Sequence, residues 1–209
     1  MKEIVIVGNG GFAKEVKWLI DRINKTKNTW EFKGYIDVDV KDSDVIGNDD
    51  FLLGYKAELA VVVAIGSSKI REKLVEKYKV NKYIYYPNLI DPSVIMSDKI
   101  VMGQGNIICA GAICTVNISI GNFNIINLDC TIGHDTIIKD YLTINPSVNI
   151  SGGCIIDNAV NLGTGVQVIQ GIKIGERTTV GAGAAVISNL PSMCLAVGVP
   201  AKIKKWYEE

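Results

Sequence analysis

From Met96 to Val186 an apolar residue returns at every sixth position: Met96, Met102, Ile108, Cys114, Ile120, Ile126, Ile132, Ile138, Ile144, Ile150, Ile156, Leu162, Val168, Ile174, Val180 and Val186. A helix buries residues at steps of three and four, and a half-exposed strand at steps of two. An unbroken step of six fits neither as one long element. It fits a coil of very short strands, each turning one side chain into a shared interior before the chain bends. Two residues before many of these positions stands another small or apolar residue: Ala112, Cys130, Thr136, Val148, Cys154, Val160, Val166 and Ala184. Glycines at 121, 133, 163, 175 and 181 supply turns. A hexapeptide period of this kind predicts a parallel β-helix.

The residues before the repeat follow another rhythm. Glu3-Ile4-Val5-Ile6-Val7 reads as a buried strand, broken by Gly8-Asn9-Gly10-Gly11. Helical spacing follows at Phe12, Val16, Leu19, Ile20 and Ile23. Strand, glycine loop and helix open a nucleotide-binding βαβ unit, where loop amides and the helix start face a phosphate. The dinucleotide fingerprint is incomplete, because Ala13 stands at its third glycine position. A loop that only turns the chain is an equal reading of the same residues.

Phe32 to Ile36 predicts a second strand ending at Asp37, an acid placed either to accept from a ribose or base, or to lie solvated. A short helix at 49–53, a strand at 58–65, a helix at 69–78 and a strand at 83–86 follow. Gly66-Ser67-Ser68 repeats the strand–turn–helix pattern. Both turns fall at the same end of a parallel sheet, which predicts a crevice. Pro87 and Pro92 mark the boundary, giving an expected Rossmann-like domain at 1–86 and a coil with a tail at 87–209.

Charge changes the picture by exclusion. Twenty-two basic and 22 acidic residues cancel, leaving no electrostatic case for nucleic acid or an anionic membrane. No apolar run reaches the ~18 residues that a membrane span requires, and no leader sequence is expected. The five cysteines are odd in number and form no CxxC pair, so neither a metal site nor a disulfide framework is expected. Cytoplasmic residence is the expectation.

The chain has one histidine, His134, in Ile132-Gly133-His134-Asp135. Imidazole is the side chain best suited to act as a base near neutral pH. Two residues beyond an interior position, it should lie at a corner or on an outer face. Asp135 is its natural partner, but strand neighbours point to opposite faces, so contact demands a corner between them. Asp129 is a second candidate orienter, and Asn127 is a polar group placed to touch substrate. No GxSxG elbow supports a serine nucleophile.

These residues carry a resemblance that spans the chain. Val7-Gly8-Asn9-Gly10-Gly11-Phe12-Ala13-Lys14-Glu15, Ala64-Ile65-Gly66-Ser67, Leu89-Ile90-Asp91-Pro92-Ser93, Gly133-His134-Asp135 and Gly198-Val199-Pro200-Ala201-Lys202-Ile203 together resemble the hexapeptide acyltransferases. The branch concerned contains sialic-acid O-acetyltransferases and nucleotide-aminosugar N-acetyltransferases. The resemblance implies an α/β Rossmann-like parallel sheet followed by a left-handed parallel β-helix, assembled as a homotrimer with acetyl-CoA between coils of two subunits. It assigns His134 as general base with Asp135 raising its basicity. Gly8, Asn9, Gly10, Gly11, Asp37, Gly66 and Ser67 would hold a uridine nucleotide, and Thr143, Gly152, Thr164 and Ala182 the coenzyme. Some relatives carry a second histidine where this chain has Thr143. Trp206 is open to three roles: stacking on adenine, core packing or a subunit contact.

The reaction expected is direct acetylation of the amine of a UDP-linked 4-amino-4,6-dideoxy sugar, a step in nucleotide-sugar biosynthesis. The rivals are a sialic-acid O-acetyltransferase and a non-catalytic sugar-nucleotide-binding scaffold.

Overall fold

The computed structural model describes residues 1–38 and 44–208. The chain forms two compact units, Met1–Pro92 and Ser93–Glu209. In the first, β1 (Lys2–Val7), α1 (Gly11–Thr26), β2 (Trp30–Ile36), β3 (Val45–Gly47), α2 (Asp49–Gly54), β4 (Leu59–Val63), α3 (Ser68–Tyr78) and β5 (Ile84–Tyr85) follow in order, with β6 (Leu89–Ile90) near its end. The sheet runs β3-β2-β1-β4-β5, and every pairing within it is parallel.

β4 is buried along its whole length, as its unbroken apolar run predicts for a central parallel strand. α1 buries Ala13, Val16, Leu19 and Ile20 on one face. The edge strand β3 is absent from the sequence expectation, because Val45-Ile46-Gly47 is too short to show a period. Its seat is legible only in space. A Cβ on Gly34, where φ is +146°, would lie 2.4 Å from Ile46 Cγ2, so glycine there lets β3 approach β2. Arg22 on α1 grips the buried carboxylate of Asp91 with two donors, Nε to Oδ2 at 2.5 Å and Nη2 to Oδ1 at 2.9 Å.

The second unit is a left-handed β-helix. Its two-residue strands, from Ile95–Met96 to Ala185–Val186, each end on one of the sixth-position apolar residues. Up to Gln167–Val168 each strand pairs in parallel with the strand 18 residues on, as Thr131 with Asn149 and Ile132 with Ile150, whereas Thr179–Val180 pairs with Leu195 and Ala196, 16 residues on. Three hexapeptides thus make one coil with three flat faces. Met96 and Met102 are half-buried, and from Ile108 onward the sixth-position residues are all buried. The eight small or apolar residues two places earlier are buried as well. All five cysteines are free thiols inside the protein, and burial pushes those of Cys114 and Cys130 up to about 11.

The interior also holds polar rungs that the hexapeptide pattern does not announce. Asn106 and Asn124 are fully buried one coil apart. Asn106 Oδ1 accepts from Asn124 N at 2.9 Å, and Asn124 Oδ1 accepts from Leu142 N at 2.7 Å. Each satisfies a backbone donor that the short strands leave unpaired. The closing strands Cys194–Val197 and Lys202–Trp206 pair antiparallel and end the ladder of one face. Trp206 remains exposed there.

Because each interior residue fills a layer that no neighbour can collapse into, Ile144→Ala is expected to cost about 2–5 kcal/mol. Chemical denaturation would register this as a lower midpoint with an unchanged slope.

Candidate active site

In the first unit the chain reverses its build direction between β1 and β4, because α1 leads from β1 to β2 on one side while β4 lies on the other. Such a switch point opens a crevice beyond the carboxyl ends of the strands. Gly8 to Gly11 follow β1 there, Asp37 follows β2, and Gly66 and Ser67 follow β4. The sheet therefore gathers all seven predicted residues at one end. Gly8 has φ +98°, and a Cβ on it would lie 2.7 Å from Ile65 Cδ1, so the two loops are packed together.

Gly10, Gly11 and Gly66 are glycines for a different reason. None has a left-handed φ, and a Cβ on any of them would meet no atom within 4 Å. Neither strain nor packing explains them, whereas a ligand lying flat against the backbone would. α1 starts at Gly10 with no side-chain cap and no acid in its first turn, which leaves its positive end open to an anion. α3 likewise has no acid in its first turn, and Ser67 Oγ caps it by accepting from Ile70 N at 3.4 Å. Asp37 Oδ1 accepts from Val38 N at 2.7 Å.

In the second unit His134 and Asp135 form a corner between strands Thr131–Ile132 and Ile137–Ile138. Asp135 adopts φ +58°, and this left-handed turn brings two consecutive side chains to one side. His134 Nδ1 and Asp135 Oδ2 lie 2.8 Å apart. The carboxylate is thus the imidazole's partner, and Asp129 belongs to a different corner, where its amide donates to Ala110 O. The bond to His134, and then that from Asn117, hold the Asp135 carboxyl below the usual carboxylate range. Both side chains are more than half exposed.

One coil further on, Gly152 lies against the ring. A Cβ there would come within 2.5 Å of His134 Nε2 and 2.6 Å of Cε1. The backbones are bonded at the same place, Gly153 N donating to His134 O at 2.7 Å. Gly152 therefore borders the nitrogen that Asp135 leaves free.

The remaining predicted residues do not gather here. Asn127 lies at the other end of strand Thr131–Ile132, its Oδ1 accepting from Leu128 N at 2.7 Å. Thr164 and Ala182 sit one above the other on that same edge, where Gly183 N donates to Thr164 O at 2.8 Å. Thr143 is buried in a strand between Ile125 and Asn161. Asn117, which sequence reading passed over, donates its Nδ2 to Asp135 Oδ1 at 3.2 Å. Its only sequence signal is its distance of 18 residues from Asp135. Among the described residues no group of three or more His, Cys, Asp or Glu could hold a metal ion.

The coil and its corner place the molecule among the left-handed β-helix proteins with an α/β unit ahead of the coil. Residues 3–78 match the PglD N-terminal domain. The chain is similar over 98% of its length to perosamine N-acetyltransferase from Caulobacter crescentus, solved as a histidine-to-asparagine variant with CoA and GDP-perosamine. That likeness covers 98% of the other chain, at 30% identity and a TM-score of 0.90. It is also similar to the acetyltransferase domain of PglB from Neisseria gonorrhoeae FA1090 with acetyl coenzyme A (25% identity, 97% and 98% coverage, TM-score 0.87). WeeI from Acinetobacter baumannii AYE matches at 28% identity over 97% of this chain and all of that one, with a TM-score of 0.86. No curated protein matches the chain. The chain belongs to the hexapeptide-repeat acyltransferase family.

Two substitutions separate the two uses of glycine. Gly152→Ala is expected to displace the His134 ring and, on the reading of that ring as a base, to cost roughly 10²-fold in kcat. Gly66→Ala is expected to leave the melting temperature nearly unchanged, since its Cβ would meet no atom within 4 Å, and to weaken binding of a nucleotide sugar in calorimetry.

Proposed function

We propose that the protein transfers the acetyl group of acetyl-CoA to the amine of a nucleotide-linked sugar, specifically a UDP-linked 4-amino-4,6-dideoxy sugar. The family carries the coarser reading, an acetyl-CoA-dependent aminosugar N-acetyltransferase. The observation that carries the chemistry is the His134–Asp135 pair at 2.8 Å with Nε2 beside Gly152.

The first unit takes the nucleotide. Its diphosphate lies over Gly10, Gly11 and Gly66 at the uncapped start of α1, and Asp37 accepts from the ribose or base. In the second unit Asp135 accepts the Nδ1 proton of His134, so the neutral ring presents a bare Nε2. This nitrogen removes a proton as the sugar amine attacks the thioester carbonyl. A backbone N–H near Gly152 donates to the oxyanion of the tetrahedral intermediate. Collapse breaks the carbon–sulfur bond and the thiolate takes up the proton. The products are an acetamido sugar and free CoA thiol.

Acetyl-CoA supplies the activated carbonyl, and Gly152, Thr164 and Ala182 are the residues proposed to hold it, with Thr143 a buried support. Gly152 and the other two lie on different edges of one coil stack, which favours a cofactor shared by two subunits of a homotrimer. The flat faces support that assembly, since Ile95 and Ile113 on one and Val101, Ile137 and Ile155 on the next are exposed apolar side chains. Residence in the cytoplasm is part of the same reading. No helix among the described residues is long and apolar enough to cross a membrane.

A second nucleotide deserves a place in the test, because the perosamine enzyme was solved with a GDP sugar. Free-thiol release from acetyl-CoA, measured with UDP- and GDP-linked 4-amino-4,6-dideoxy sugars and with sialic acid, separates the readings. Release with the UDP sugar supports the proposal, and release with the GDP sugar alone replaces the base. Release with sialic acid alone makes the enzyme an O-acetyltransferase, and silence with all three favours the scaffold. His134→Ala is expected to lower kcat by about 10²–10⁴-fold while acetyl-CoA binding survives. Asp135→Asn is expected to lower kcat as well, because the ring loses the carboxylate oxygen that lies 2.8 Å from Nδ1.

A further inference from the structure

The corner that holds His134 extends one coil back. Asp135 has two carboxylate oxygens, and each has its own partner: Oδ2 lies 2.8 Å from His134 Nδ1, and Oδ1 accepts from Asn117 Nδ2 at 3.2 Å. Because an ionised carboxylate only accepts, the atom that Asn117 presents to it must be the amide nitrogen. The backbone ties the same two coils together beside this bond, Asp135 N donating to Val116 O at 3.1 Å.

The turn conformation alone does not call for asparagine. Asn117 has φ +55°, a region that asparagine tolerates well. Yet equivalent left-handed corners of this coil are filled by Phe123, Tyr141, Ser147, Ala159 and Arg177. In the column of Asn117 itself, the corners above Asp135 are Gly153 and Gly171, both with positive φ. Asparagine at the one corner directly under Asp135 is therefore accounted for by its side-chain bond.

Resting on the reading of His134 as base, we propose that Asn117 is a positioning residue of the catalytic corner. It pins Oδ1 of Asp135 so that Oδ2 faces Nδ1, which fixes the proton on Nδ1 and keeps Nε2 bare for the amine. Three successive coils then each contribute one part: Asn117 from below, His134 and Asp135 in the middle, and Gly152 clearing space above. A carboxylate without Asn117 can rotate about its side-chain torsions, and the neutral ring then divides between its two tautomers.

His134 is the sole histidine in the chain, so nitrogen-15 NMR of the ring reads this site with no assignment problem. In the unaltered protein the neutral ring is expected to carry its proton on Nδ1. In Asn117→Ala the two ring nitrogens move toward a mixed-tautomer average, and kcat falls about 2- to 10-fold, the factor carried by one hydrogen bond of ordinary net strength, while KM for both substrates holds. Asn117→Asp keeps the shape but cannot donate, and it is expected to lose the tautomer preference equally. Asn117→Gln, which keeps the amide, should restore part of it. An Nδ1–H ring unchanged in both Asn117→Ala and Asn117→Asp overturns the proposal. The NMR result stands even if His134→Ala keeps full activity, an outcome that would remove the base assignment and leave the bracket intact.

Discussion

The molecule depends on one packing constraint, an interior that each hexapeptide must fill with its sixth-position side chain and the residue two places before it. Once Ile126, Ile132 and Ile138 enter it, the chain must turn three times in 18 residues, and the next coil must lie directly on the last. Backbone bonds between coils then form at every strand without help from side chains, as between Cys114 O and Ser97 N or Ile150 O and Gly133 N. A change of register by one residue would exchange buried isoleucines for corner residues throughout the stack. Hydrophobic burial and hydrogen bonding thus demand the same geometry.

The corners inherit their precision from this stack. A corner residue is joined to the coils above and below, so side chains 18 residues apart meet as reliably as neighbours on a helix face. Asn122 and Asp140 form one such polar column, where Asn122 N donates to Asp140 Oδ1 at 2.6 Å. His134, Asp135, Asn117 and Gly152 form another. Chemistry placed on a β-helix edge needs no separate scaffold, since the coil itself holds the groups. The crevice of the α/β unit works differently. There the parallel sheet brings the loop ends together, and the absence of side chains at Gly10, Gly11 and Gly66 leaves the backbone open.

How much of this could be read along the chain depends on the range of the signal. The six-residue period needs only counting, and it located the core residues of the coil. The glycine loops after β1 and β4 were legible because strand, turn and helix are local patterns. The edge strand β3 was missed because three residues carry no period, and its place depends on room left by Gly34. Asn106 and Asn124 were missed because nothing in composition marks a buried asparagine until the backbone donor it serves is seen. Asn117 was missed because it and Asp135 look unrelated until the coil length is known.

By itself the sequence determined the architecture: the hexapeptide period demanded a coil, the opening βαβ pattern demanded a parallel sheet, and a single histidine beside an aspartate marked the corner. Only the tertiary structure decided how those residues meet. It turned the chain at Asp135 so that carboxylate and imidazole face each other, stacked Gly152 against the ring, and brought Asn117 beneath the carboxylate. The physical reason is that periodicity is written in one dimension, whereas contacts between coils arise only when hydrophobic burial and backbone pairing together set the stacking register.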